Sequence, residues 1–366
     1  LKPSEFMSDR AAEPARSSGA PPLEQLQDIP DFRASRRFQH EHPRVSVVVP
    51  TYNRASFLEG TLQSIFDQTV AVHEVVVIDD GSRDDTASTL RSICDRHPQW
   101  RGRLTCLFQP NEGKSAALNN GLKHTSGNWI AFNDSDDRWR PEKLERQFAA
   151  LAVYAEADVC FTDVRFVNNP RMRETAFEVA FPPRTTPIGI LRDVASLYGG
   201  EWPGIYMQSL LVSRRAMERV GEFDESLRMS MDTDFTFRLG LLAPMCYVDM
   251  PLVDVDRSHP RRVGLTTEYP LNGRDRLAVH ERMITKWLEH THSHPQLARQ
   301  LRNRRSSTQS ALANNHLLGD DVAGARAILA RSVRQHARAA NVAKLLWALV
   351  APGSLRRVIA SRNTFA

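Results

Sequence analysis

Four short apolar runs, each closed by a polar or acidic cluster, constrain the fold of this chain more than any other feature. Val45-Ser46-Val47-Val48-Val49 is mostly β-branched and stops at Pro50-Thr51-Tyr52-Asn53-Arg54. Val75-Val76-Val77-Ile78 stops at Asp79-Asp80-Gly81-Ser82. Leu104–Phe108 leads to Asn111-Glu112-Gly113-Lys114, and Trp129–Phe132 to Asp134-Ser135-Asp136-Asp137. Short runs of consecutive apolar residues bounded by turn signals predict strands covered on both faces. Stretches of helical period separate them. Ala55–Gln68 carries Phe57, Leu58, Leu62, Ile65 and Phe66 at helical spacing, and Asp84–Arg96 and Ser115–Lys123 follow. This alternation predicts an α/β fold, a mostly parallel sheet with helices on both faces. Right-handed crossovers bring the strand C-ends to one edge, where such sheets bind ligands.

The chain has 366 residues, 41% hydrophobic and 25% charged, which excludes collagen, coiled coil and wholesale disorder. That length predicts one large domain and a smaller one. No apolar run approaches the ~18 residues of a membrane span, and no secretory signal is visible at the start. Leu1–Phe6 precede the first Met, Met7, and read as a cloning scar; the stretch to about Pro43 is rich in Ala, Pro, Ser, Arg and Glu and reads as a disordered tail. Cys94, Cys106, Cys160 and Cys246 form no C-x-x-C pair, so no zinc or redox motif is present. They read as small core residues of a reduced compartment.

Two acidic clusters converging on one sheet edge repel one another unless a cation lies between them. A divalent metal on oxygen ligands, Mg²⁺ or Mn²⁺, is the simplest answer, and Lys114 would then pair with phosphate oxygens. No Walker loop or dinucleotide fingerprint is present. Phosphate is therefore expected to be held through a metal rather than in a Gly-rich cradle.

Taken in order and spacing, Val45 to Arg54, Val77-Ile78-Asp79-Asp80-Gly81-Ser82-Arg83-Asp84-Asp85-Thr86 and Asn133-Asp134-Ser135-Asp136-Asp137 resemble the family 2 glycosyltransferases, inverting nucleotide-sugar-dependent enzymes of GT-A fold. The resemblance covers about Arg44 to His259. It implies that Pro50, Thr51 and Tyr52 wall the nucleotide base, with Tyr52 stacking on it. Asp80, in preference to Asp79, would hydrogen-bond the base or ribose. Asp134 would contact the ribose, Asp136 a Mn²⁺ or Mg²⁺ bridging the phosphates, and Lys114 the diphosphate. Asp137 would support or substitute for Asp136. Asn119 and Gly121 match an A-x-N-x-G helix in which Asn119 holds a loop. In Met231-Asp232-Thr233-Asp234, Asp232 aligns with the catalytic base; Met231 departs from the Glu common there. Asp234, about 200° round a helix from Asp232, reads as structural and paired with Arg238. His259 would reach the metal or phosphate, and Trp202, in the loop 199–204, would shape the acceptor site.

The resemblance thus implies transfer of a single sugar, because the Q-x-x-R-W motif and membrane helices of processive synthases are not found here. A UDP-sugar is the favoured donor, and a glycan, lipid-linked or peptide acceptor is expected, in surface glycan, lipopolysaccharide or other glycoconjugate synthesis. The alternative is a catalytically weak GT-A scaffold that binds nucleotide sugar, supported by Met231. A sugar nucleotidyltransferase would need a Gly-rich, Arg-containing loop after the first strand, which Pro50–Arg54 is not. The expected division is a tail over 1–43, a GT-A domain over 44–268 (nucleotide-binding half 44–137, acceptor half 138–268) and a basic helical module over 269–366.

That module is read at Leu277–Leu288, Leu297–Leu318 and Val322–Ala339, with Gly319-Asp320-Asp321 as a turn, similar to a single helical-hairpin repeat. From Leu271 to Ala366 there are 16 Lys and Arg against 5 Asp and Glu. The apolar, basic end, Ala343–Val350 and Leu355–Ile359, is expected either on an anionic membrane surface with Trp347 at the interface or docked as core. No nucleic-acid recognition motif accompanies the charge, so no nucleic-acid partner is expected. A cytoplasmic location, peripheral to the inner membrane face, fits these readings. The string His290, His292, His294 lacks acidic or Cys partners and is not read as a metal site.

Overall fold

The computed structural model describes residues 31–40, 42–168, 174–181, 184, 186–200, 204–256 and 273–364. The chain divides into two compact units, one built on the sheet and the other holding the chain from 260 onward.

The sheet unit starts with the short helix α1 (Arg36–His40). It continues with β1 (Val45–Thr51), α2 (Ala55–Phe66), β2 (Glu74–Asp80), α3 (Thr86–Arg96), β3 (Leu104–Gln109), α4 (Lys114–Lys123) and β4 (Trp129–Phe132). Then come β5 (Arg138–Trp139), α5 (Lys143–Val153), β6 (Val159–Val167), α6 (Ala176–Ala180), β7 (Ile188–Leu191), β8 (Leu211–Ser213), α7 (Arg214–Val220), α8 (Met231–Leu242) and β9 (Met245–Asp256). Among the described residues nine strands form one mixed sheet, ordered β3-β2-β1-β4-β8-β6-β9-β5, with β7 on β9. The first four strands in this order are mutually parallel, as the alternation predicts. β8 is antiparallel to both β4 and β6, and β6 runs parallel to β9.

Two element ends differ from expectation, and both differences bear on the rim. β1 and β2 run on past their apolar residues, so that Pro50 pairs with Ile78 and Thr51 with Asp79. The acidic pair Asp79-Asp80 therefore belongs to the buried strand rather than to the turn after it. α3 starts at Thr86 rather than Asp84, because the Asp84 carboxylate accepts from the Thr86 backbone N and Oγ1 and bends the chain there.

The core lies on both sheet faces. Val45, Val47 and Val49 pack in one cluster with Leu58, Leu62 and Ile65 of α2, all without solvent exposure. On α4, Gly121 has no room for a Cβ, which would meet the Ile78 and Val48 side chains. The missing side chain lets α4 lie close on the sheet. Cys160 and Cys246 are buried register partners on β6 and β9, and Cys94 and Cys106 are half-buried. All four are free thiols, and burial, with the Cys94 thiol beside it, pushes the Cys106 thiol up to about 12.

The second unit holds α9 (Arg274–Glu289), α10 (Pro295–Leu318), α11 (Val322–Gln335), α12 (Ala339–Val350) and α13 (Pro352–Thr364). The third helix was expected to run to Ala339 but stops at Gln335. His336 Nε2 meets Asn303 Oδ1, and the Arg338 guanidinium donates to Asn303 O and Ser307 Oγ, which turns the link onto α10. Leu312, Ala313, Leu317, Ala325, Ile328 and Leu329 form the core, joined by Ala348 of α12 and Leu355 and Ile359 of α13. The terminal segment is thus docked along part of its surface. No helix among the described residues is long and apolar enough to cross a membrane.

Candidate functional site

The loops after β1 and β2 are stitched together by side chains. Asn53 takes a left-handed backbone at φ 52°, which Asn tolerates better than bulkier residues. Its N–H donates to Ser82 Oγ at 2.8 Å, and its Oδ1 accepts from Arg83 N at 2.8 Å. Arg54 N donates to Thr86 Oγ1, and Ala55 N to Asp84 Oδ2, which ties the start of α2 to the second loop. Tyr52 stands at this rim 40% exposed, so its ring is not part of the core. Thr51 is buried, and its Oγ1 has no hydrogen-bond partner.

The two carboxylates at the end of β2 do different work. Asp80 accepts from Gln109 Nε2, Glu112 N and Gly113 N, each at 2.9 Å. It braces the 109–113 loop that leads into α4. Asp79 accepts from Ser82 N at 3.0 Å. The expected preference for Asp80 as the base or ribose contact therefore meets a carboxylate already engaged by three protein donors. Gly81, at φ +71°, lets the loops close up, since a Cβ there would lie 2.7 Å from Asn111 N.

The brace delivers Lys114, the first residue of α4, to the acidic cluster after β4. Its Nζ lies 2.5 Å from Asp134 Oδ1. Burial opposes the ammonium charge, but Asp134, and then Asp232 and Asp136, outweigh it and raise the Lys114 pKa. One cation thus feels three carboxylates from two distant stretches of sequence. Ligand oxygens of Asp134, Asp136 and Asp137 all lie within 4.8 Å of one another. Arg54 Nε pairs with Asp136 Oδ2 at 3.2 Å, and Gln208 Nε2 donates to buried Asp137 Oδ2 at 2.7 Å. The adjacent Asn133 Oδ1 is buried without a hydrogen-bond partner. Three close carboxylates that draw in Arg54, Lys114 and an amide fit a hard divalent cation on oxygen ligands.

α8 opens from Ser230, whose φ of 59° is left-handed. Asp232 is half-buried in the first turn, and its Oδ1 accepts from Thr233 N at 2.8 Å. Asp234 is buried and pairs with Arg238 at 2.8 Å, as the helical spacing predicts. Arg238 also donates to Val220 O and Glu222 O, so this pair fixes the chain before α8. Met231 is buried. Asn119 likewise holds a loop, donating to Phe223 O and accepting from Phe223 N. His259 and Trp202 lie outside the described residues.

The structure therefore brings Lys114, Asp134, Asp136 and Asp232 together, beside Thr51, Tyr52, Asp79 and Asp80 on the adjoining strand ends. Sequence reading did not single out Arg54 or Gln208. Arg54 directly follows the Thr-Tyr-Asn turn, where a cation beside an acidic rim was a usable signal. Gln208 reaches Asp137 only through tertiary structure.

Comparison with known proteins bears on the fold and the family. Residues 46–214 match the family model described as Glycosyl transferase family 2. A putative teichuronic acid biosynthesis glycosyltransferase, TuaG of Bacillus subtilis, is 36% identical over 106 residues, 29% of this chain and 40% of that one. The chain thus spans two fifths of that relative. S. aureus TarS 1–349 in complex with UDP-GlcNAc superposes with a TM-score of 0.57 at 18% identity, covering 88% of this chain and 91% of the other. A mannosyltransferase of Pyrobaculum calidifontis, solved with GDP-Man and Mn²⁺, gives 0.52 at 22% identity over 92% and 89%. The sheet unit has the GT-A fold.

Proposed function

We propose that the chain, whose residues 46–214 match the family model described as Glycosyl transferase family 2, works as a member of that family and transfers one sugar from a nucleotide-diphosphate sugar to an acceptor hydroxyl, with inversion at the anomeric carbon. The observation that carries this reading is Lys114, held among Asp134, Asp136 and Asp232. A cation for the diphosphate and a carboxylate for the acceptor are what a single displacement needs side by side.

In this reading the Tyr52 ring stacks on the base, with Pro50 and Thr51 as its wall, and Asp79 or Asp80 accepts from base or ribose. Asp134 meets the ribose, and Lys114 moves from Asp134 to the departing diphosphate. Asp136, Asp137 and His259 would hold the divalent metal, which when bound supplies positive charge against the leaving diphosphate. Asp232 accepts the acceptor's proton as its oxygen attacks from the face opposite the nucleotide. Met231 is buried and leaves Asp232 at the half-buried first turn of α8, so it does not favour the scaffold alternative.

UDP is the favoured nucleotide, because a relative in fold is solved with UDP-GlcNAc. A surface-polymer or other glycoconjugate acceptor is the class proposed, in keeping with the likeness to TuaG. The four free cysteines suit a reducing cytoplasmic setting.

The test is release of nucleotide from a panel of UDP-, GDP-, dTDP- and CMP-sugars, with and without Mn²⁺ or Mg²⁺. Metal-dependent release from one donor is expected. No binding or release with any donor would overturn the reading.

A further inference from the structure

The last third of the helical unit contains a helix turned inside out. α12 buries a polar residue, Asn341, whose Nδ2 donates to Ser306 O, Ser306 Oγ and Ser332 Oγ at 2.9 Å each. Its half-buried Lys344 reaches back to Ser310 Oγ and Asn314 Oδ1. Of its side chains facing the core, only Ala348 is apolar and fully buried. Leu345 packs partly against that core, but most of the large apolar residues point the other way. Leu346, Trp347, Leu349 and Val350 are all exposed, Val350 by 84%. Trp347 is fixed in this outward position by its Nε1, which donates to Ser354 Oγ at 2.7 Å. An amphipathic helix of a soluble unit normally shows the reverse arrangement. Clustered exposed apolar side chains mark a surface that meets something.

The charge around this patch indicates the partner. From Val322 to Ala366 there are eight Lys and Arg and no Asp or Glu. Arg338 stands at the N-cap of α12, and Arg331, Arg334, Arg338 and Arg357 are exposed. An apolar ridge with an interfacial Trp, on a stretch with exposed cations and no acidic residue of its own, is complementary to an anionic lipid surface, and the Asp320 carboxylate that meets α13 is taken up by Arg356. Acyl chains accept the ridge and headgroup phosphates accept the arginines. A second copy of the same face would bring like charges together, which disfavours self-association through it.

We propose that α12 and the start of α13 dock the protein on an anionic bilayer, with Leu346, Trp347, Leu349 and Val350 entering the interface. This goes beyond sugar transfer and does not depend on it. At 12 residues α12 lies on the surface and does not span it.

The test is flotation of the full chain with vesicles of equal phosphatidylglycerol and phosphatidylcholine, and with phosphatidylcholine alone. Binding to the anionic vesicles only is expected, weakened by ~0.5 M salt. L349D/V350D should lower partition by ~tenfold or more, and R334E/R357E should also lower it. Both variants change exposed side chains and should keep the wild-type circular dichroism and nucleotide binding. Failure of the full chain to float with anionic vesicles would overturn the proposal, as would equal binding to neutral ones. Wild-type flotation of L349D/V350D would remove α12 as the contact. Self-association lost in L349D/V350D, without vesicle binding, would assign the face to a second copy instead.

Discussion

Arg54 and Lys114 hold the acidic cluster in the arrangement described here, Arg54 on Asp136 and Lys114 on Asp134. A divalent cation entering the cluster has to displace at least one of them. Substitution Arg54→Gln should therefore tighten Mn²⁺ binding in the absence of nucleotide by about tenfold, the equivalent of ~1.4 kcal/mol. Titration of Mn²⁺ followed by its paramagnetic resonance signal reads this directly, and unchanged affinity would mean that the pair does not guard the site. Asp232→Asn separates binding from chemistry. Nucleotide affinity should stay within about twofold while transfer falls by ~10²–10⁴. Retained transfer would move the proton acceptor elsewhere, first to Asp234. The buried Asp234–Arg238 pair argues against that move, because its carboxylate is already held inside the fold.

At the scale of elements, α5 opens with a lysine that has no solvent exposure. Lys143 Nζ donates to Gln147 Oε1 at 2.9 Å and sits 4.1 Å from the Trp139 ring centroid. Burial pushes its pKa down to about 7 from an ordinary 10.5. Between those values the unfolded chain binds a proton that the folded one does not. Lys143 therefore makes stability rise with pH across that window, by up to ~1.4 kcal/mol per pH unit. Lys143→Met should remove this slope, measured as the difference in urea unfolding free energy between variant and wild type from pH 7 to 9.5. A parallel pH profile in the two proteins would rule the account out.

The elements also mark the limit of what the sequence reveals. Consecutive apolar residues and helical spacing located β1 to β4 and their helices, because both patterns are local. The ends that matter to the site were not local. The Asp79-Asp80 pair continues a strand because β1 runs alongside Asp79 and β3 alongside both, and the role of Asp80 as a brace depends on loop amides about thirty residues away. Lys114 was legible from the clusters at the strand ends and Asp232 from resemblance, whereas their shared electrostatic field needed coordinates. The inside-out character of α12 was also hidden. Its sequence reads as an apolar helix, and only the packing shows Asn341 inside and Val350 outside.

For the molecule as a whole, a nucleotide bound at the proposed site, on groups from β1, β2, α4 and the turn after β4, should stabilise the folded state by mass action. Saturation with UDP and Mn²⁺ at about a hundred times Kd should add ~2.7 kcal/mol, read as a rise in melting temperature. UDP without metal should give a smaller rise, and equal rises with and without metal would refute a metal-linked site. The strand order has a consequence of another kind, for the growing chain on the ribosome. β1 to β4 can assemble once Phe132 has emerged, but the outer edge of β4 has no partner until β8 arrives at Leu211. At ~5–20 residues per second that open edge lasts roughly 4–16 s. It is a row of unpaired amides and carbonyls beside the apolar side chains Trp129 to Phe132, and hence a point where nascent chains can pair wrongly with each other.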